Sequence, residues 1–132
     1  MLRKYFSGKS NVLLAYFFGS SAKGKLGRDL DIALLVNEKE LKDGTIAVQT
    51  RYKVELMKLM NRTDIDVVIL NDAPLLLRHE VIKAKKPIFV RDEATRIDFE
   101  SMSELKYYDF LPYRKMFWEA LKKRIKEGRF ID

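Results

Sequence analysis

The chain has 132 residues, 47% hydrophobic and 34% charged, which fits a single domain with its own core and a densely ionic surface. It has no cysteine, which excludes disulfides, thiolate metal sites and a cysteine nucleophile; a metal would be held by oxygen ligands or by the single histidine, His79. A formal net charge of +7 favours polyanionic partners such as nucleotides, nucleic acid or an acidic protein surface, with a merely solvated basic surface as the plain alternative.

No run reaches the ~18 apolar residues that a bilayer span requires. The opening Met1-Leu2-Arg3-Lys4 lacks the apolar stretch of a secretory signal, so the expected location is the cytoplasm, without membrane association.

Residues 2–9 suit a short helix. Val12 to Phe18 is a continuous apolar run ended by Gly19, the pattern of a strand buried on both faces. Residues 19–28 are small and basic and read as a turn, with room for one helical turn in it. A second strand is expected over Asp29–Val36. After the turn at Asp43-Gly44, the spacing of Val48, Tyr52, Leu56, Leu59 and Met60 predicts an amphipathic helix over 45–61. A third strand follows over Asp64–Leu70, and Asn71-Asp72-Ala73-Pro74 reads as a helix start. A helix over 75–85 and a short strand over 88–90 come next. From 94 onward the chain reads as helical, with a break or kink at Pro112 and an apolar face of Met116, Phe117, Ala120, Leu121 and Ile125. Strands alternating with helices before a helical tail predict an α/β or α+β domain. Its sheet is expected to be small, twisted and mixed, backed by helices. The whole of 1–132 is expected to form one domain, with a catalytic core over 1–93 and a helical extension over 94–132.

Asp29 and Asp31 stand two apart at the mouth of an apolar strand, so both carboxylates project from one face while Leu30, Ile32 and Leu34 face the other. Like charges so placed repel, and a hard cation such as Mg²⁺ between them relieves the repulsion. Asp66 is embedded in Ile65-Asp66-Val67-Val68-Ile69-Leu70, and it completes a three-carboxylate cluster if its strand lies beside the second. Asp64 shares that face, but its position suggests a strand-start turn. Two ions about 3.5–4 Å apart on such carboxylates can support in-line displacement at phosphorus. Upstream, Gly19-Ser20-Ser21-Ala22-Lys23-Gly24 has the glycines that let backbone approach a phosphate closely. Ser20 supplies a hydroxyl, and Lys23, Lys25 and Arg28 can counter triphosphate charge. Taken alone, Gly-Ser turns and Asp-x-Asp strand edges are common and structural; their succession in this order is what points to nucleotide chemistry.

Phe18-Gly19-Ser20-Ser21-Ala22-Lys23-Gly24 followed by Asp29-Leu30-Asp31 resembles the signature of the DNA polymerase beta-like nucleotidyltransferase superfamily, and the short chain resembles its minimal nucleotidyltransferase (MNT) family. The resemblance extends through Asp66–Asn71, Ala73-Pro74-Leu75, Ile97–Glu100 and Tyr108–Pro112. The chain departs from the family pattern between Ser20 and Asp29, where the turn is shorter and Arg28 stands where the family commonly has serine. The resemblance implies Mg²⁺, two ions, on Asp29, Asp31 and Asp66, with Gly19 and Ser20 on the phosphates of ATP. It also implies an antitoxin that transfers AMP from ATP to a tyrosine of a HEPN-domain ribonuclease toxin. Asp66 is the natural general base for the acceptor hydroxyl, since a carboxylate in reach can take that proton.

Other readings remain open. A nucleotidyltransferase fold can neutralise a partner by contact alone, without catalysis. Transfer to a small molecule would call for a larger substrate-binding domain than this chain offers. RNA as acceptor suits the charge, but no recognition motif supports it. His79, beside Glu80, reads as a surface or core residue rather than a catalyst. Tyr107, Tyr108, Phe110, Tyr113, Phe117 and Trp118 read first as core and second as a partner interface. Lys122-Lys123-Arg124 reads as a solvated face.

Overall fold

The computed structural model describes residues 1–19 and 29–126. In chain order the elements are α1 (Leu2–Ser7), β1 (Val12–Phe17), β2 (Leu30–Val36), α2 (Thr45–Met60), β3 (Ile65–Ile69), α3 (Leu75–Ala84), β4 (Pro87–Val90) and α4 (Glu93–Lys126), with 3-10 turns at Glu38–Asp43 and Leu70–Asp72. The strands form one mixed sheet in the order β3-β2-β1-β4. β1 lies antiparallel to both β2 and β4, while β2 and β3 are parallel. Parallel neighbours need a long crossover, and residues 37–64, which contain α2, supply it. The expected α/β architecture of a mixed sheet backed by helices is therefore the observed one.

Both sheet faces are covered. On one, Ile32, Leu34, Ile65 and Val67 pack against Phe6 of α1 and Val48, Tyr52 and Leu56 of α2. On the other, Leu14, Tyr16 and Ala33 meet Val81 of α3, with Leu77 and Phe99 packed alongside. Val12 and Ala15 share the first face despite their odd spacing, because a bulge between Val12 and Leu14 shifts the alternation of β1. α2 and α3 both end on left-handed residues, Asn61 and Lys85. Asparagine is common at such a stop; lysine is not.

The last helix departs from expectation in two ways. It runs through Pro112 without a break, as a single element of 34 residues. A proline removes one N–H from the ladder, and here the intact turns on either side carry the helix past it. The aromatic residues of this helix, read first as core, are mostly exposed. Tyr107 is buried, whereas Tyr108, Phe110, Tyr113, Phe117 and Trp118 are all at least 40% exposed. The reason is positional. α3 meets α4 as far as Tyr107 and the edge of Tyr108: His79 stacks on the Tyr107 ring at 4.0 Å, meets the Tyr108 ring edge-on, and its Nδ1 lies 3.0 Å from Glu104 Oε2.

Candidate active site

The acids owe their placement to strand register. Asp31 of β2 is the register partner of Asp66 of β3, and residues in register on parallel strands point to the same face, one strand spacing of about 4.8 Å apart. Leu30, Ile32 and Leu34 turn the other way into the α2 layer, as the alternation of β2 requires. The start of this strand is held on both sides: Phe18 N donates to Asp31 O at 3.2 Å, and Leu30 N donates to Asp64 O at 2.7 Å. Asp29 stands exposed at the strand mouth.

Electrostatics tie the three acids together. The Asp31 carboxyl is held above its ordinary pKa by its burial, then by the charge of Asp66, then by that of Asp29. Asp66 is about half exposed, and Lys53 of α2 reaches it with Nζ at 3.6 Å from Oδ1. Asp64, the rival acid, is committed elsewhere. Arg62 donates to both its oxygens at 2.5 Å, and those hydrogen bonds hold its carboxyl below the usual range. The Arg62 guanidinium also feels the charge of Asp29. Among the described residues, no three His, Cys, Asp or Glu side chains are gathered closely enough to hold a metal ion as they stand.

Gly19 closes the site from the other side. Its φ of +60° is left-handed, and a Cβ placed there would lie 2.7 Å from Asp31 Oδ2. A side chain at this position would therefore be strained and would collide with the acid. The backbone at Gly19 thus lies close against the Asp31 carboxylate. The remaining nucleotide-binding candidates, Ser20, Lys23 and Arg28, lie outside the described residues, as does Lys25.

Residues 1–94 match the family model for polymerase beta nucleotidyltransferases. The chain belongs to that family. Solved structures agree on the nucleotidyltransferase fold. A mutant of the toxin–antitoxin pair MntA–HpeT matches with a TM-score of 0.72 at 20% identity, covering 92% of this chain and 94% of that one. A toxin–antitoxin crystal structure with AMP-PNP gives 0.69 at 22% identity, over 85% and 87%. The tri-AMPylated Shewanella oneidensis HEPN toxin in complex with MNT antitoxin gives 0.65 at 20%, over 85% and 84%. No curated protein sequence matches significantly.

Within this nucleotidyltransferase, Lys53 and Arg62 are the site neighbours that sequence reasoning missed. Nothing distinguishes them among 26 lysines and arginines until the fold brings them to the acids. His79 is engaged between α3 and α4, which agrees with its reading as a structural residue. No described helix is long and apolar enough to cross a membrane.

Proposed function

We propose that this protein is a metal-dependent protein adenylyltransferase and antitoxin, which transfers AMP from ATP to a tyrosine hydroxyl of a HEPN-domain ribonuclease toxin. The observation that carries this reading is the in-register pair Asp31 and Asp66 on one sheet face, with Asp29 at its mouth and Gly19 turned against Asp31. Family membership supports nucleotidyl transfer, and structural likeness to an MNT antitoxin bound to an AMPylated toxin supports the acceptor.

The donor chemistry of the three acids fits Mg²⁺. Every available ligand is a carboxylate oxygen, and the raised Asp31 carboxyl marks a place where added positive charge is favourable. Asp29, Asp31 and Asp66 would hold the ions. When bound, Mg²⁺ supplies charge stabilisation to an in-line displacement at phosphorus. Asp66 takes the proton of the tyrosine hydroxyl, whose oxygen forms the new bond to the α-phosphorus. The bond from that phosphorus to the bridging oxygen breaks, and its electron pair leaves with pyrophosphate. Lys53 orients the Asp66 carboxylate from the edge of the sheet. The backbone at Gly19 and the Ser20 hydroxyl receive the phosphates, with Lys23 and Arg28 as countercharge.

The exposed aromatic run on α4 supports a protein partner. It joins Tyr113, Phe117 and Trp118 to the cations Arg114, Lys115, Lys122 and Lys123, a combination suited to an acidic surface with apolar anchors. The same helix favours a second reading, neutralisation by contact alone. Incubation with ATP, Mg²⁺ and a cognate HEPN-domain toxin, read by intact-mass spectrometry, separates the two. We expect a gain of AMP mass on the toxin that disappears in the Asp29→Asn/Asp31→Asn protein. A stable complex with no mass gain would establish the contact reading.

A further inference from the structure

The side of the sheet covered by α1 and α2, opposite the acids, carries a polar cavity that the transfer chemistry does not use. Its volume is about 360 Å³, and it opens between the α1–β1 turn, the 3-10 turn at Glu38–Asp43 and the middle of α2. The turn at 8–11 is firmly held: Arg91 Nη2 donates to Lys9 O at 2.9 Å, and Val12 N donates to the same oxygen at 2.9 Å. Arg51 and Glu55 are four apart on α2 and so lie on one side of it, with Tyr52 between them.

Two matched triads surround the cavity. Tyr52 Oη donates to Glu40 Oε1 at 2.7 Å, and Arg51 Nη2 donates to the same oxygen. Tyr5 Oη donates to Glu55 Oε1 at 2.5 Å, and Lys9 Nζ lies 2.8 Å from that oxygen. Glu40 is the deeper acid, its side chain 8% exposed against 33% for Glu55. Its Oε2 is buried and meets no donor among the described residues. A buried carboxylate oxygen left without a hydrogen bond is costly, so a donor that reaches it binds with a gain. The cavity exceeds the ~30 Å³ share of one water many times over, which is room for a molecule of several heavy atoms.

Charge around the cavity is balanced in number and divided in space. Glu40 lies inside, while Lys9 and Arg51 are the more exposed groups, with side chains 39% and 51% exposed. A ligand that is only a cation is repelled by those two groups on entry, and one that is only an anion brings no donor for Glu40. A molecule with an ammonium at one end and a carboxylate at the other satisfies both. We infer that this cavity binds a small zwitterion of the amino-acid type, with its ammonium on Glu40 Oε2 and its carboxylate between Arg51 and Lys9. The site stands on α2, the helix that sends Lys53 to Asp66, and it does not depend on nucleotidyl transfer.

An NMR titration of the full chain, labelled at its amide nitrogens, tests this with β-alanine, propylamine and propionate. Propylamine lacks the carboxylate of β-alanine, and propionate lacks its ammonium. β-Alanine should shift the amides of 8–11, 40 and 51–55 saturably. It should bind at least about tenfold more tightly than either of the other two. Glu40→Gln keeps an acceptor for Tyr52 and Arg51 but turns an amide donor toward the ammonium, and should weaken β-alanine by at least about tenfold. Arg51→Met keeps an apolar stem without the charge, and should bring β-alanine to within about twofold of propylamine. Melting curves identify a variant that fails to fold; the other then carries the test, and the comparison of probes on wild type stands in either case. Wild-type protein that gives no saturable shifts, or shifts away from these residues, would overturn the site. Propylamine binding as tightly as β-alanine would overturn the zwitterion assignment, and undiminished binding by Glu40→Gln would overturn Glu40 as the anchor.

Discussion

Asp31 on β2 and Asp66 on β3 face each other in register across the parallel strand pair, and Asp31 carries a carboxyl held high by its burial and by Asp66 and Asp29. Placing two acids so close has a cost to the folded chain at neutral pH. Asp31→Asn removes one of the repelling charges at nearly constant volume. In EDTA we expect this variant to melt roughly a few degrees above wild type. Mg²⁺ should then stabilise wild type and leave the variant nearly unmoved. A variant that melts below wild type in EDTA would show that the acids do not strain the fold.

Gly19→Ala tests the close approach of Gly19 to the Asp31 carboxylate. The left-handed backbone costs an alanine about 1–2 kcal/mol, and its Cβ must also displace the Asp31 carboxylate. We expect AMP transfer to fall by at least about tenfold, since an ångström of misplacement at a reacting centre is worth that much. Gly44→Ala is the control. It too has a left-handed φ, of +98°, but open space around it, so it should lose stability and keep transfer activity.

Asp92 caps the long helix. Thr95 N donates to its Oδ1 at 2.9 Å and Thr95 Oγ1 to its Oδ2 at 2.8 Å, and these bonds hold its carboxyl below the usual range. A lowered carboxyl pKa means that the cap contributes fully above the ordinary aspartate pKa and is lost as pH falls through the lower, folded value. Asp92→Ala should therefore melt below wild type at neutral pH, with the difference shrinking in acid. A difference that does not change between pH 7 and pH 2 would rule out the cap as its source.

Trp118 is the sole tryptophan of the chain and is about half exposed. Its fluorescence maximum should lie toward the red in the free protein and move to the blue when the toxin binds. Phe117→Ala/Trp118→Ala should leave the melting temperature within about a degree of wild type, because these side chains pack on little of their own chain. The same variant should weaken toxin binding by about a hundredfold or more. Unaltered binding would place the interface elsewhere.

The order of strands and helices could be read from the chain because periodicity and punctuation are local. Residues 45–61 were expected as a helix and 45–60 form one; 64–70 were expected as a strand and 65–69 form it. The pairing of β2 with β3 was conditional in the sequence, since nothing local says which strands are neighbours. The aromatics of α4 were misread for a related reason. A tyrosine or phenylalanine at helical spacing looks the same whether its partner is its own chain or another, and only the reach of α3 decides that Tyr107 is covered and Tyr113 is not. Lys53 and Arg62 gave no signal either, because their roles come from tertiary proximity alone.

The unbroken α4 has a kinetic consequence. At 34 residues it is about 51 Å long, and the largely exposed stretch beyond Tyr108 extends as a stiff arm from the sheet face that carries the acids. On the proposed function, a partner gripped by that arm would present its acceptor segment at a high effective concentration, so each encounter after docking would be intramolecular. Recognition and chemistry would thereby be divided. The acids need not bind the tyrosine tightly, and a free peptide carrying the same acceptor sequence should be a poor substrate at any attainable concentration.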